Sequence, residues 1–110
     1  MASMTEAQMM AGIIQAARTL GYMVYHTHDA RSSEPGFPDL MVCGHGKLFI
    51  WELKTARGKL RESTTTKRGR YLPSQLDWLN AFAEAGIDAR VIRPADYDDA
   101  LEALKEGAGK

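Results

Sequence analysis

The feature that most limits the fold is a four-residue turn, Gly44-His45-Gly46-Lys47, set between two short apolar runs. Leu40-Met41-Val42-Cys43 leads into it, and Leu48-Phe49-Ile50-Trp51-Glu52-Leu53-Lys54 leads out. Both runs are too short for helices and carry enough β-branched and aromatic residues to read as strands. If His45 and Gly46 form the tip of a two-residue hairpin, Gly44 faces Lys47 and Asp39 falls opposite Glu52. Alternation places Phe49, Trp51 and Leu53 on one face, and Ile50, Glu52 and Lys54 on the other. Directly opposed side chains have Cβ atoms roughly 4.5–5.5 Å apart. Two carboxylates at that separation repel unless a cation or a shared proton lies between them. Acid, acid and lysine on one pleated face is the make-up of a divalent-metal hydrolytic site. A three-residue turn would shift the register by one and set Asp39 opposite Trp51, so the reading depends on the turn.

At 110 residues the chain suits one domain with a single modest core. Apolar content of 45% and charged content of 25% are ordinary for a globular chain, so composition alone points to no special class. No run approaches the ~18 apolar residues of a transmembrane helix, and no basic region followed by an apolar stretch marks a secretory leader. No membrane association is expected. Cys43 is the only cysteine. It cannot form an intrachain disulfide, and its place in an apolar strand reads as a buried thiol in a reducing, cytoplasmic setting.

Residues 1–4 read as a disordered start or a cloning remnant, residues 5–106 as the domain, and residues 107–110 as a frayed tail. Thr5 with Gln8 forms a capping box, Gly21 is a helix stop, and Met9 or Met10, Ile13, Ile14, Ala17 and Leu20 recur at helical spacing. Glu6 in the first turn is either a surface acid favoured by the helix N-terminus or a third carboxylate of the site. Residues 22–28 read as a strand on which His26 and His28 share a face. That spacing could serve a transition metal. The acids, however, suit a hard, oxygen-ligated ion, and neither a cysteine nor a third histidine is suitably spaced, so the pair reads as partly exposed, beside substrate. Residues 29–37 form a polar loop in which Arg31, Ser32 and Ser33 either contact phosphate or are simply solvated. Ser74 with Asp77 caps a second helix with Leu76, Leu79, Phe82 and Ala83 as its apolar stripe. Residues 87–93 form a last strand, and Asp96 caps a last helix over residues 97–106 with Leu101 and Leu104 inward.

Net charge is zero, but its distribution is uneven. Residues 54–70 hold Lys54, Arg57, Lys59, Arg61, Lys67, Arg68 and Arg70 against Glu62 alone, a net of +6. The rest of the chain is acidic. Residues 55–70 lack apolar periodicity and read as a mobile loop or extended hairpin. Their basic residues leave the strand that carries the acids, which suits phosphate binding by Arg57, Lys59, Arg61, Lys67, Arg68 and Arg70.

Pro38-Asp39 followed by Glu52-Leu53-Lys54 resembles the bipartite motif of the PD-(D/E)XK nucleases. The longer pattern, Pro35-Gly36-Phe37-Pro38-Asp39-Leu40-Met41-Val42 with Glu52-Leu53-Lys54-Thr55 and Gly58-Lys59-Leu60, resembles the VRR-NUC branch, in its small stand-alone phage or bacterial form. The resemblance covers residues 6–93, and the residues between Arg61 and Arg70 depart from it, since the family usually runs quickly into the next helix. It implies an α/β fold of order αβββαβα with a mixed central sheet flanked by helices. It implies a Mg²⁺- or Mn²⁺-dependent endodeoxyribonuclease acting on branched DNA such as Holliday junctions, as a homodimer in the cytoplasm of a bacterial or phage-infected cell. In that reading Asp39 and Glu52 bind the metal with the Leu53 carbonyl and with Glu6 through water. Lys54 orients the attacking water, and Gln75 matches a glutamine the family places near the site. The alternatives are a restriction-type or non-specific nuclease on linear duplex, and a non-catalytic DNA-binding module.

Overall fold

His45 and Gly46 both take the left-handed backbone, with φ of 53° and 75°, as a two-residue type I′ hairpin requires. A non-glycine residue there is uncommon, and His45 is held by its ring. Its Nε2 donates to the Leu20 carbonyl at 2.7 Å, and the ring stands edge-on to Tyr22 at 4.8 Å. The turn fixes the register: Gly44 pairs with Lys47 and Leu40 with Trp51. The next position down therefore brings Asp39 to Glu52, as the sequence predicts.

The computed structural model describes residues 3–27 and 36–110. Elements run α1 (Glu6–Thr19), β1 (Met23–His26), β2 (Leu40–Gly44), β3 (Lys47–Leu53), β4 (Thr64–Thr65), β5 (Tyr71–Leu72), α2 (Gln75–Glu84), β6 (Asp88–Ile92) and α3 (Tyr97–Gly107). The main sheet has the order β1-β2-β3-β6, with β3 and β6 parallel and the other neighbours antiparallel. The chain is thus a mixed α/β fold with a mixed sheet and helices. The basic segment is not featureless: β4 and β5 pair as a small hairpin.

One face of the sheet buries Leu40, Val42, Phe49, Trp51, Leu53 and Ile92 against Met9, Ile13 and Ala17 of α1 and Ala100 and Leu104 of α3. Thr5 and Gln8 make the expected capping box. Met4, just ahead of α1, packs against this core. Gly12 leaves the space that the Tyr97 ring occupies between α1 and α3. β6 is an edge strand, and it protects Trp51 there: the indole donates to Asp88 at 3.0 Å, and the Arg90 guanidinium lies 5.4 Å from the ring.

On the opposite face α2 packs on β6 and β3. Ile50 and Leu79 are buried there. Among the described residues no helix packs on the β1 and β2 side in the same way, and one expectation is corrected there. Cys43 is exposed, as are its neighbours Met23 and Tyr25. Burial in α2 is likewise narrower than its apolar spacing suggests: Leu79 is buried, Phe82 half-buried, and Leu76 and Ala83 are exposed. Asp96 does not cap α3 with its side chain. It accepts from the Arg93 N–H at 2.9 Å and closes the short 3₁₀ turn of residues 94–96. The last helix extends to Gly107, which packs on Tyr22 and Phe49, so only the final residues form a tail.

Around Gly46 there is open space, with no atom within 4 Å of where a side-chain carbon would stand. Gly46→Ala therefore meets only backbone strain and is expected to lower stability by about 1 kcal/mol, read by urea denaturation with an unchanged slope.

Candidate active site

The acids close the end of the sheet through each other's strands. The Asp39 N–H donates to Glu52 Oε1 at 3.1 Å, and the Leu53 N–H donates to Asp39 Oδ2 at 3.0 Å. Each carboxylate thus satisfies a backbone donor on the facing strand at the point where the β2–β3 ladder ends. The Lys54 N–H continues the parallel pairing by donating to the Ile92 carbonyl at 3.1 Å. The Lys54 ammonium lies 3.7 Å from Glu52 Oε2.

Glu52 is 1% exposed, the only charged residue in the buried set among the described residues. Its carboxyl is pushed up to about 8, first by burial, then by the negative charge of Asp39 and a side-chain hydrogen bond with it. Lys54 and the Asp39 N–H pull the other way without offsetting this. Glu52 therefore holds a proton far more tightly than an ordinary carboxyl group.

Gln75 reaches the same carboxylate. Its Nε2 donates to Glu52 Oε2 at 2.7 Å, while its Oε1 accepts from the Arg61 N–H at 2.6 Å. The Arg61 contact fixes which end of the amide faces Glu52. The Gln75 N–H also donates to the Arg61 carbonyl at 3.2 Å. The Ser74 and Asp77 capping box sets the start of α2 that carries Gln75. The helix is seated by Phe37, which stands edge-on to Trp78 at 5.2 Å and Phe82 at 6.0 Å. Phe37 immediately precedes buried Pro38 and then Asp39, so one aromatic cluster positions both Asp39 and Gln75.

Arg61, expected among the phosphate contacts, is instead turned into the chain. Its Nη2 donates to the Pro73 carbonyl at 2.6 Å, and its Nε is buried with no partner among the described residues. Gly36, at φ 81°, makes room for this. A side chain at Gly36 would lie 2.6 Å from the Pro73 oxygen and 2.8 Å from Arg61 Nη2.

A cavity of about 280 Å³ opens beside the acids, lined by Glu6, Ala7, Met10, His26, Thr27, Asp39 and Leu53. Glu6, on α1, and Asp39, at the start of β2, thus share one space, and His26 joins them from β1. Among the described residues no three His, Cys, Asp or Glu side chains converge closely enough to hold a metal by themselves. Arg57 and Lys59 sit on the turn after Lys54, and Lys67 and Arg68 are exposed between β4 and β5, where Arg70 begins the return. His28, Arg31, Ser32 and Ser33 lie outside the described residues. Arg93 escaped the sequence reading: its Nη1 donates to the Thr55 carbonyl at 2.7 Å and to the Gly58 carbonyl at 2.8 Å. An arginine before a proline at a strand end carries no sequence signal for that role.

Compared with known protein families, with curated proteins and with solved structures, the chain matches none of them.

Folding raises the proton affinity of Glu52 from its ordinary value of 4.5 to about 8. The folded state then binds more protons than the unfolded state between those values. The stabilisation is complete below the unfolded value and is lost as pH rises through the folded one. In EDTA, urea unfolding of the wild type is expected to show falling stability from about pH 5 to 8, with a flatter profile for Glu52→Gln. Equal slopes would contradict the assignment.

Proposed function

We propose that the chain is a metal-dependent endodeoxyribonuclease of the VRR-NUC type within the PD-(D/E)XK nucleases. The observation that carries this reading is the reciprocal pairing of Asp39 and Glu52 at the sheet end, with Lys54 on the buried carboxylate. A buried carboxyl group beside a second carboxylate is costly for stability alone. A cation held between the two would explain why they are kept together.

The donor set fits Mg²⁺ or Mn²⁺. Asp39, Glu52 and the Leu53 carbonyl are hard oxygen donors, and a set with so few protein ligands leaves positions for water, which Mg²⁺ favours. Glu6 lines the same cavity and would act through such a water. When bound, the ion lowers the pKa of water and offsets charge on the phosphate. The chain's own residues do the rest. Lys54 holds the attacking water and opposes the negative charge that develops on the phosphate oxygens. Gln75, oriented by Arg61, keeps Glu52 Oε2 in place. Lys67, Arg68 and Arg70 on the β4–β5 hairpin, with Arg57 and Lys59 nearer the acids, supply the sequence-independent contact to the nucleic acid backbone.

Branched DNA, such as a four-way junction, is the substrate we favour. Resolving it takes two cuts on related strands, and a domain with one such site answers that as a symmetric homodimer. The test is cleavage of a labelled four-way junction beside a linear duplex of the same sequence, with Mg²⁺, Mn²⁺ or EDTA. Paired, metal-dependent cuts in the junction are expected, with Lys54→Ala slower by about 10²–10³-fold and Glu52→Gln inactive but still DNA-bound. Equal cutting of both substrates would retain the nuclease and remove the junction preference. Binding without cutting in any metal would make the chain a non-catalytic module.

A further inference from the structure

A second concavity, of about 520 Å³, lies on the turn that leaves the site. It is lined by Ala56, Arg57, Gly58, Lys59, Leu60, Glu62 and Arg93. Its shape is built rather than incidental. Arg93 comes from the far end of β6, 38 and 35 residues away in sequence from the carbonyls it grips at Thr55 and Gly58. The Gly58 N–H donates back to the Thr55 carbonyl at 3.2 Å, closing the turn. A side chain at Gly58 would come within 2.9 Å of Thr55 Oγ1, so glycine is what allows the turn to close this tightly.

The charge around this space is unbalanced. Arg57, Lys59 and Arg93 surround it, and among the described residues none of the three makes an ion pair with a carboxylate. Glu62, the one acid in the lining, pairs with none of them. Three cations held without counter-charge around a rigid turn suit an oxyanion. The turn is also fixed to the acids. Thr55 directly follows Lys54, whose N–H is bonded to Ile92, the residue before Arg93.

We propose that this concavity, formed by residues 55–62 against Arg93, seats one backbone phosphate of the bound DNA and so sets which phosphodiester lies at Asp39 and Glu52. The inference rests on the nuclease reading and adds to it a discrete contact that fixes the position of the cut. Arg57 and Lys59 hold the phosphate oxygens. Arg93 holds the turn open to them and adds its charge from behind. The hairpin cations Lys67 and Arg68 lie on a separate element and contribute affinity without this register.

The test scans single neutral methylphosphonates along one strand of a DNA substrate. Kd is measured in Ca²⁺, and cleavage in Mg²⁺ on the same molecules. The wild type is compared with the double variant Arg57→Gln/Lys59→Gln, in which two residues of the turn change and Arg93 stays intact to hold it. One position beside the cut is expected to cost the wild type about tenfold in affinity and to cost the variant nothing beyond its own loss. The variant is also expected to cut at scattered positions. Equal losses for both proteins at every position, with cutting in place, would overturn the phosphate seat and leave the nuclease reading standing. A wild type that neither binds nor cuts DNA would overturn both. A separate arm uses inorganic phosphate alone. If it raises the melting temperature of the wild type and not of the variant, while DNA affinity is the same for both, the site takes a free phosphate and the DNA proposal falls.

Discussion

A buried carboxyl beside a second carboxylate is the constraint from which the rest of this molecule follows. Glu52 sits on the face of β3 that α2 covers, almost without solvent, and Asp39 comes to it across the strand pair. Neither charge could be kept there by packing. What holds the pair is a set of directed donors, from the Asp39, Leu53 and Gln75 nitrogens, with the Lys54 ammonium nearby. Those donors stabilise the geometry of two acids but do not neutralise both, and burial, followed by the charge of Asp39, raises the proton affinity of Glu52. Burying these acids has a cost in stability that the apolar face on the other side of the sheet must offset, and in the function we propose a cation completes the site.

The scaffold serves that arrangement from three directions. The His45-Gly46 turn fixes the register, so the acids meet instead of passing one residue apart. The cluster of Phe37, Trp78 and Phe82 locks α2 to the chain entering β2, which brings Gln75 over Glu52. Arg61 and Gly36 then fasten the middle of the basic segment to the base of α2. The β4–β5 hairpin can present Lys67 and Arg68 outward because its root, at Arg61, is tied inward. Charge that reads as one basic run in the sequence is thus divided in the fold between an inward anchor and exposed side chains.

What was legible in the sequence was local. The capping boxes at Thr5 and Ser74, the turn at His45 and Gly46 and the alternation in β3 each follow from a few neighbouring residues, and from them the meeting of Asp39 and Glu52 could be read. What was not legible depends on which elements lie over which. Cys43 sits in an apolar strand yet is exposed, because α2 covers β3 and β6 and not β2. Leu76 has the spacing of a core residue but is left half exposed. Arg61 has the composition of a phosphate contact and the surroundings of a structural one. Arg93 looks like a strand-end residue and acts on a turn 35 residues earlier. Such roles come from tertiary neighbours, which neither periodicity nor spacing encodes.

If Asp39 and Glu52 hold a divalent cation, its binding must expel the proton that Glu52, with its raised affinity, carries at neutral pH. Titration calorimetry of the metal-free protein with Mn²⁺ at pH 7, repeated in buffers of different ionisation enthalpy, reads both events at once. One binding event that releases close to one proton is expected, with no binding by Asp39→Asn. Binding without proton release, or binding that survives Asp39→Asn unchanged, would contradict the exchange of proton for metal.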